Sequence, residues 1–436
     1  MQETQKVRLL FGRQGVELSV PGHAVLLRAA HRPELPQPEE AVRQALLRPI
    51  ATASLAQLVE KRKPRRAAIT ISDITRPVPN QVFLPALIET LNSQGVGDAQ
   101  IMIVVGTGLH RPSTPAEKIE LIGPHVLRRC PVVDHRADDP SSLVRVSDNP
   151  PVFINKIFAD ADFRIVTGLI EPHFMAGYSG GRKGVCPALM DLRTVQRFHG
   201  YSILNDARSA NGVIEGNPCH AESLRIARLV GIDFLFNVAI NDQRKICGIY
   251  AGDMEAAHQT GIADVRNWTS AKVDKPFDLV VTNGGGYPLD KTLYQSTKGM
   301  VTALPACHDK TVLMILSECQ EGIGSPSYTE MMLHWSNRWR EFLEHIRTSP
   351  EVRHDQWTPQ MHCRTLDRIG QERLWMATDG LPQETLAKCW VTPLTGTGTA
   401  PQRMQQALDR FAAEHPNSRI AVIPDGPYTM LLDGER

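Results

Sequence analysis

Three histidines and one lysine have neighbours that could support chemistry: His110 in GTGLHRP, His173 and Lys183 at the two ends of HFMAGYSGGRK, and His199 in RFHG. A lone histidine among fifteen is ordinarily structural or merely exposed. His110 and His173 differ because each follows a buried-type apolar run by a few residues and lies among glycines, where backbone can approach a ligand closely. An unperturbed imidazole titrates near ~6.5, so two of them facing one substrate could alternate as base and acid. Gly180-Gly181-Arg182-Lys183 could cradle a phosphate or carboxylate with exposed N–H groups and two cations, although the Walker spacing is absent. Against this stands a plain surface turn. In Asp73-Ile74-Thr75-Arg76-Pro77 the Asp and Thr could cap a turn, and Arg76 could grip an anion with both arms of its fork.

Gly177 to Gly181, GYSGG, matches the G-x-S-x-G nucleophile elbow and raises a hydrolase reading through Ser179. A true elbow sets its serine directly between strand and helix, whereas EPHFMA intervenes here. A cofactor-carrying or anion-binding protein without catalysis is a further alternative. Later in the chain, Tyr294 and Lys298 fall on one helical face, with Gln295 and Lys298 three apart; the plain reading is an exposed helix surface.

The elements that must hold these residues follow from hydrophobic patterning. Lys6 to Val20 alternates as a short hairpin, closed by the Pro-rich stretch His31 to Glu39. Ala67 to Ile71, Gln100 to Val105 and Phe163 to Ile170 are continuous apolar runs of the kind found in parallel sheets, with helical spacing at Phe83 to Leu91 between the first two. Each run opens into one of the polar loops above. In an open parallel sheet ligands bind beyond the carboxyl ends of the strands, so the three loops point to one crevice. Met254 to Ala271 reads as helix, AKVDKPFD as a charged linker, and the alternation then repeats: a strand at Leu279 to Thr282, a helix from about Lys291, a strand at Thr311 to Leu316 and IAVIP near the end. The pattern predicts two α/β domains with mainly parallel sheets, residues 1–271 and 272–436, and an active site in the crevice between them.

Composition narrows the classes. The 436 residues are 42% apolar, and 48 Lys+Arg against 47 Asp+Glu leave a net charge of +1, which supports neither a nucleic-acid footprint nor a polybasic membrane surface. No apolar run approaches the ~18 residues of a membrane span, and the first residues lack the apolar core of a signal peptide, so a cytoplasmic location is expected. The eight cysteines form no Cys-x-x-Cys pair and read as buried thiols.

Taken together, SDITRP, GTGLHRP, EPHFMAGYSGGRK, His199 and YQSTKG, in this order and at these separations, resemble the nickel-pincer lactate racemase family over nearly the whole chain. The resemblance implies an isomerase, a racemase or epimerase of a 2-hydroxy acid. It implies a nickel pincer nucleotide (nickel pyridinium-3,5-bisthiocarboxylate mononucleotide) attached at Lys183, with His199 as the protein ligand to nickel. By the same resemblance His110 and His173 are the acid/base pair, and Asp73, Ile74, Thr75 and Arg76 contact the cofactor. Arg76, Tyr294, Gln295 and Lys298 would hold the substrate, and Trp357 would line the site. The implied reaction passes a hydride from the α-carbon to the cofactor through a 2-oxo acid. The enzymes that build the cofactor are implied partners, with no nucleic acid and no membrane. Whether the substrate is lactate-like or a longer hydroxy or sugar acid is left open, and Phe174 and Met175 serve equally as an apolar wall or as core packing. One departure stands out: Pro187-Ala188 occupies the place where the family pattern expects Pro-Gly, which puts the local turn in question.

Overall fold

A computed structural model describes residues 3–433. The chain divides into two compact units: one made of His31–His199 and Arg208–Trp268, the other of the residues up to Ala30, Gly200–Ala207 and everything from Thr269 onward.

The first unit is built on a six-stranded sheet in the order Ile246–Gly252, Phe234–Ile240, Phe163–Leu169, Ala67–Ser72, Ile101–Gly106, Val132–Asp134. All neighbours are parallel except the edge pair formed by the first two strands. The three apolar runs expected to be buried strands are three adjacent central strands. From Ala67–Ser72 the chain moves outward through Ile101–Gly106 and Val132–Asp134, then returns to place Phe163–Leu169 on the other side of the starting strand. That reversal is the topological switch point, and the loops after Ala67–Ser72 and Phe163–Leu169 flank it. The helix Asn80–Ser93 covers one face with Phe83, Leu84, Leu87, Ile88 and Leu91, all buried at 3–4 residue spacing. Each such side chain contributes ~1.5–3 kcal/mol through burial. A capping box of Thr114 and Glu117 starts the helix Pro115–Arg129.

The second unit has an all-parallel sheet in the order Thr392–Pro393, Leu374–Ala377, Cys307–Leu316, Phe277–Asn283, Ile420–Val422, Val25–Leu26. The expected hairpin is present as Thr4–Leu9 paired antiparallel with Val16–Pro21. Its Val7, Leu9, Leu18 and Val20 pack with Leu279, Val281, Met314 and Leu316, so the first thirty residues group with the later part of the chain rather than with residues 31–271. The helix read over Met254 to Ala271 ends at Thr269, and Ser270–Val273, at the start of the charged linker, forms a short strand parallel to Met430–Asp433. All eight cysteines are buried and unbridged. Among the described residues no helix is long and apolar enough to cross a membrane.

Candidate active site

The loop after Ala67–Ser72 is organised by Asp73. Its Oδ1 accepts from the Thr75 N–H at 3.2 Å and the Thr75 hydroxyl at 2.6 Å, closing an Asx turn. Its Oδ2 lies 2.6 Å from Nδ1 of His110, in the loop after the neighbouring strand. Burial by itself would raise the Asp73 carboxyl, but His110, Thr75 and Arg76 outweigh it and hold the group down at about 2. A permanent carboxylate on Nδ1 fixes the His110 proton there and leaves the lone pair on Nε2. The His110 side chain is 43% exposed, so this basic nitrogen belongs to a ring that solvent and small molecules reach. Ile74 is half-buried against the apolar core of this unit. Arg76 pairs with Glu171 at 3.7 Å, which draws the first loop to the third.

The loop bearing His110 is tied down by its neighbours. The Thr107 hydroxyl donates to the His135 carbonyl at 2.8 Å, and the Gly108 N–H donates to the Ala188 carbonyl at 3.0 Å. Ala188, the departure from the family pattern, is not among the residues with positive φ and needs no glycine there. Its methyl lies 2.9 Å from where a Cβ on Gly106 would be, so the missing side chain of Gly106 provides the room.

The loop after Phe163–Leu169 is held from below. Gly177, Gly180 and Gly181 all have positive φ, and a Cβ on Gly181 would come within 2.5 Å of the His258 ring. Asn237, on the buried strand Phe234–Ile240, accepts from the Gly181 N–H at 2.7 Å. His258 Nε2 lies 2.9 Å from the Ser179 carbonyl. The Ser179 hydroxyl donates to the Leu169 carbonyl at 2.6 Å and accepts from the Glu171 N–H at 3.0 Å. It is a brace of the loop, not an activated nucleophile. Arg182 points inward rather than toward an anion: it is 1% exposed, and Nη2 donates to the carbonyls of Ala176 at 2.7 Å and Tyr178 at 3.1 Å. The phosphate cradle with two cations therefore loses one of them, Arg182, to its own loop. Phe174 and Met175 are both buried, the core-packing outcome.

Lys183 lies on the 3-10 turn Gly181–Gly184, its Nζ 5.9 Å from the centre of the Phe198 ring. The protein atoms around it, reinforced by Arg182 and Arg76, push its amine down to about 7. His199 follows Phe198 at the end of the helix Leu192–Phe198 and is 8% exposed. Its Nδ1 is 2.9 Å from the Val195 carbonyl, an acceptor only, so the proton sits on Nδ1 and the lone pair on Nε2. Burial pushes the imidazole down to about 3, the Val195 bond opposing and the Lys183 charge adding. A neutral imidazole of this tautomer is a good donor to a borderline transition metal. No group of three or more His, Cys, Asp or Glu among the described residues could hold a metal ion, so a metal on His199 would need donors brought by a cofactor. The thio-substituted pyridinium named above would bring such donors, and the residues fit it: an amine lowered to about 7, and an imidazole that stays neutral near neutral pH.

In the second unit Tyr294, Gln295 and Lys298 lie on the helix Leu293–Thr302, capped by Thr292. They are half-buried rather than on an open helix surface. The Trp357 indole N–H donates to the Tyr294 hydroxyl at 2.7 Å, and Tyr294 meets Tyr328 edge to face at 5.0 Å. The Gln295 side-chain oxygen is buried with no hydrogen-bond partner, an acceptor or amide awaiting one.

Sequence reasoning missed Glu171, Asn237 and His258. Asn237 carried a signal: it is the one polar residue in the apolar run FLFNVAI, and a buried polar residue is the informative exception.

Residues 11–212 match the family model described as the lactate racemase N-terminal domain, and residues 273–430 match the one described as the lactate racemase C-terminal domain. The chain is 32% identical over 400 residues to a lactate racemase from Thermoanaerobacterium thermosaccharolyticum, covering 91% of each chain. It is 32% identical over 393 residues to a lactate racemase from Lactiplantibacillus plantarum, covering 89% of each. Among solved structures it matches the lactate racemase apoprotein from T. thermosaccharolyticum with a TM-score of 0.88 at 29% identity, over 98% of this chain and 100% of that one. A protein from Thermotoga maritima shares the fold, with a TM-score of 0.69 at 16% identity over 91% of this chain and 98% of that one.

Proposed function

Since the chain belongs to the lactate racemase family, we propose that it interconverts the stereoisomers of a lactate-like 2-hydroxy acid with the help of a nickel pincer nucleotide. Lys183 would hold the cofactor covalently and His199 would ligate its nickel, with the Asp73–Arg76 loop beside it. When bound, this group would supply a hydride acceptor for the α-carbon, whose loss of hydride leaves a planar 2-oxo acid. The observation that carries the reading is the 2.6 Å contact between Asp73 and His110. It gives His110 a basic Nε2 that can take the substrate hydroxyl proton, and the carboxylate then stabilises the resulting imidazolium. General base catalysis of this kind contributes about a hundredfold to ten-thousandfold. His173 would hold or return the proton at the substrate oxygen on the opposite side, which inversion requires. Arg76, Tyr294, Gln295 and Lys298 would fix the substrate carboxylate, since a guanidinium fork and an ammonium are the side chains suited to it.

The test is intact-mass analysis after coexpression with the enzymes that build the cofactor, followed by turnover of a panel of chiral 2-hydroxy acids. A nucleotide adduct lost on Lys183→Ala, with racemisation of a short hydroxy acid, is expected. An unmodified chain, or an adduct with no turnover across the panel, would refute the reading.

A further inference from the structure

His173 sits in a turn that uses its ring as an acceptor. Its Nδ1 receives the backbone N–H groups of Met175 at 3.3 Å and Ala176 at 3.2 Å. A neutral imidazole has one lone-pair nitrogen and one N–H, so accepting at Nδ1 puts the proton on Nε2. This is the opposite arrangement to His110, whose Nδ1 faces a carboxylate and whose Nε2 is the lone-pair nitrogen.

The turn cannot readily reverse the choice, because one of the two peptides that supply its N–H groups is pinned through its carbonyl. The Ala176 N–H belongs to the peptide whose oxygen, that of Met175, accepts from Nδ2 of Asn217 at 2.9 Å. The next carbonyl, that of Ala176, accepts from Arg182 at 2.7 Å. Asn217 is 0% exposed, caps the helix Pro218–Val230 through its Oδ1, and uses Nδ2 a second time on the Val213 carbonyl at 2.9 Å. At the far side of the turn a Cβ on Gly177 would lie 2.1 Å from that same Val213 oxygen, so the backbone there has no room to swing. Rotating the 175–176 peptide would break the Asn217 bond and leave a buried carbonyl and a buried amide unpaired, at a cost of ~1–3 kcal/mol each.

We infer that Asn217 is a positioning residue for His173, holding its ring with the proton on Nε2 while Asp73 holds His110 with the proton on Nδ1, so that the two histidines rest in opposite tautomers. The inference rests on the acid/base reading of these histidines for its meaning in catalysis, although the ring states themselves are a property of the protein without substrate. A hydroxyl facing His110 finds a base at once. One facing His173 finds an N–H donor, and deprotonation there requires the ring to move its proton to Nδ1 against two N–H groups. Because enantiomers are equal in free energy, kcat/KM must be the same in both directions. The asymmetry therefore falls on kcat and KM separately, and both should differ by the same factor between the two enantiomers.

The experiment is long-range proton–nitrogen correlation NMR on the full-length protein with nitrogen-15 histidine, above the titration range of the rings. Resonances are assigned with His110→Gln and His173→Gln. The expected result is a lone-pair-type Nδ1 and proton-bearing Nε2 for His173, and the reverse for His110. A proton on Nδ1 of His173 overturns the inference. Asn217→Asp and Asn217→Ser both keep a good helix cap but remove the donor to Met175. Each should turn the single His173 pattern into a mixture, while the His110 pattern stays. An unchanged His173 pattern in both variants removes Asn217 from the role. Racemisation assays on the loaded wild-type protein address the enzymatic reading separately: ring states as expected with no turnover of any hydroxy acid would refute the function and leave the positioning in place.

Discussion

At the residue scale, the proposed cofactor attachment would use an amine that burial has pushed down to about 7, beside an imidazole held neutral down to about 3. For a lysine displaced downward, the amine is mostly protonated below the folded value and mostly neutral above it. The rate at which Lys183 takes on the cofactor should therefore climb as pH rises through about 7 and level off well before the ordinary lysine range near ~10.4. Intact-mass time courses at several pH values check this. Lys183→Arg should abolish the adduct although it keeps the charge, because a guanidinium cannot serve as the linking amine; an adduct of unchanged mass in that variant would remove Lys183 from the attachment. Asp73→Asn should lower racemisation on the order of a hundredfold or more, since the amide can present a donor to Nδ1 and favour the wrong tautomer. The measurement is kcat on loaded protein, and loss of less than about threefold would show that His110 does not depend on Asp73. His110 and His173 stand out in the sequence because each lies among glycines just past an apolar run, and Lys183 because it closes the Gly-rich stretch. The roles of Asp73 and Arg182 do not. The first depends on a contact across 37 positions, and the second on a side chain turning inward to its own loop.

At the element scale, the loop after Phe163–Leu169 is fastened to the strand beside it by one side chain. Asn237 lies on Phe234–Ile240, paired in parallel with Phe163–Leu169, and takes the Gly181 N–H. Asn237→Val would suit the apolar strand yet orphan that buried amide, so the protein should lose ~1–3 kcal/mol. Urea denaturation of wild type and variant measures the difference, and attachment of the cofactor at the neighbouring Lys183 should slow in parallel. Full stability in the variant would mean that the loop is held by its other contacts alone. The central strands themselves were evident from uninterrupted apolar runs. The edge strand Ile246–Gly252 and the strand Ser270–Val273 were less so, because a short segment beside charges gives the same pattern as a linker until its partner strand, 160 positions later in the latter case, is known.

At the scale of the whole molecule, several histidines are buried in their neutral form, and this sets how the protein meets acid. His199, His258 and His362 are pushed down to about 3 by burial, with smaller contributions from neighbouring charges at the first two, and His220 to about 4. In the unfolded chain each titrates near ~6.5. Below that value the unfolded state binds protons that the folded state does not, so stability present above ~6.5 is lost as pH falls toward the folded values, at about 1.4 kcal/mol per pH unit for each group. His362 isolates the effect. It lies on the helix Trp357–Ile369, is 0% exposed, has its ring 5.8 Å from that of Trp390, and neither ring nitrogen has a hydrogen-bond partner. An unsatisfied buried polar ring can be replaced by an apolar side chain without breaking a bond. His362→Leu should therefore match or exceed the wild type at pH 7.5 in a thermal melt. Between about pH 6 and pH 4 its Tm should fall less steeply than the wild type, by a difference of roughly 2–4 °C per pH unit. Parallel Tm curves for the two proteins across that range would show that His362 takes up its proton as readily in the folded state as in the unfolded one.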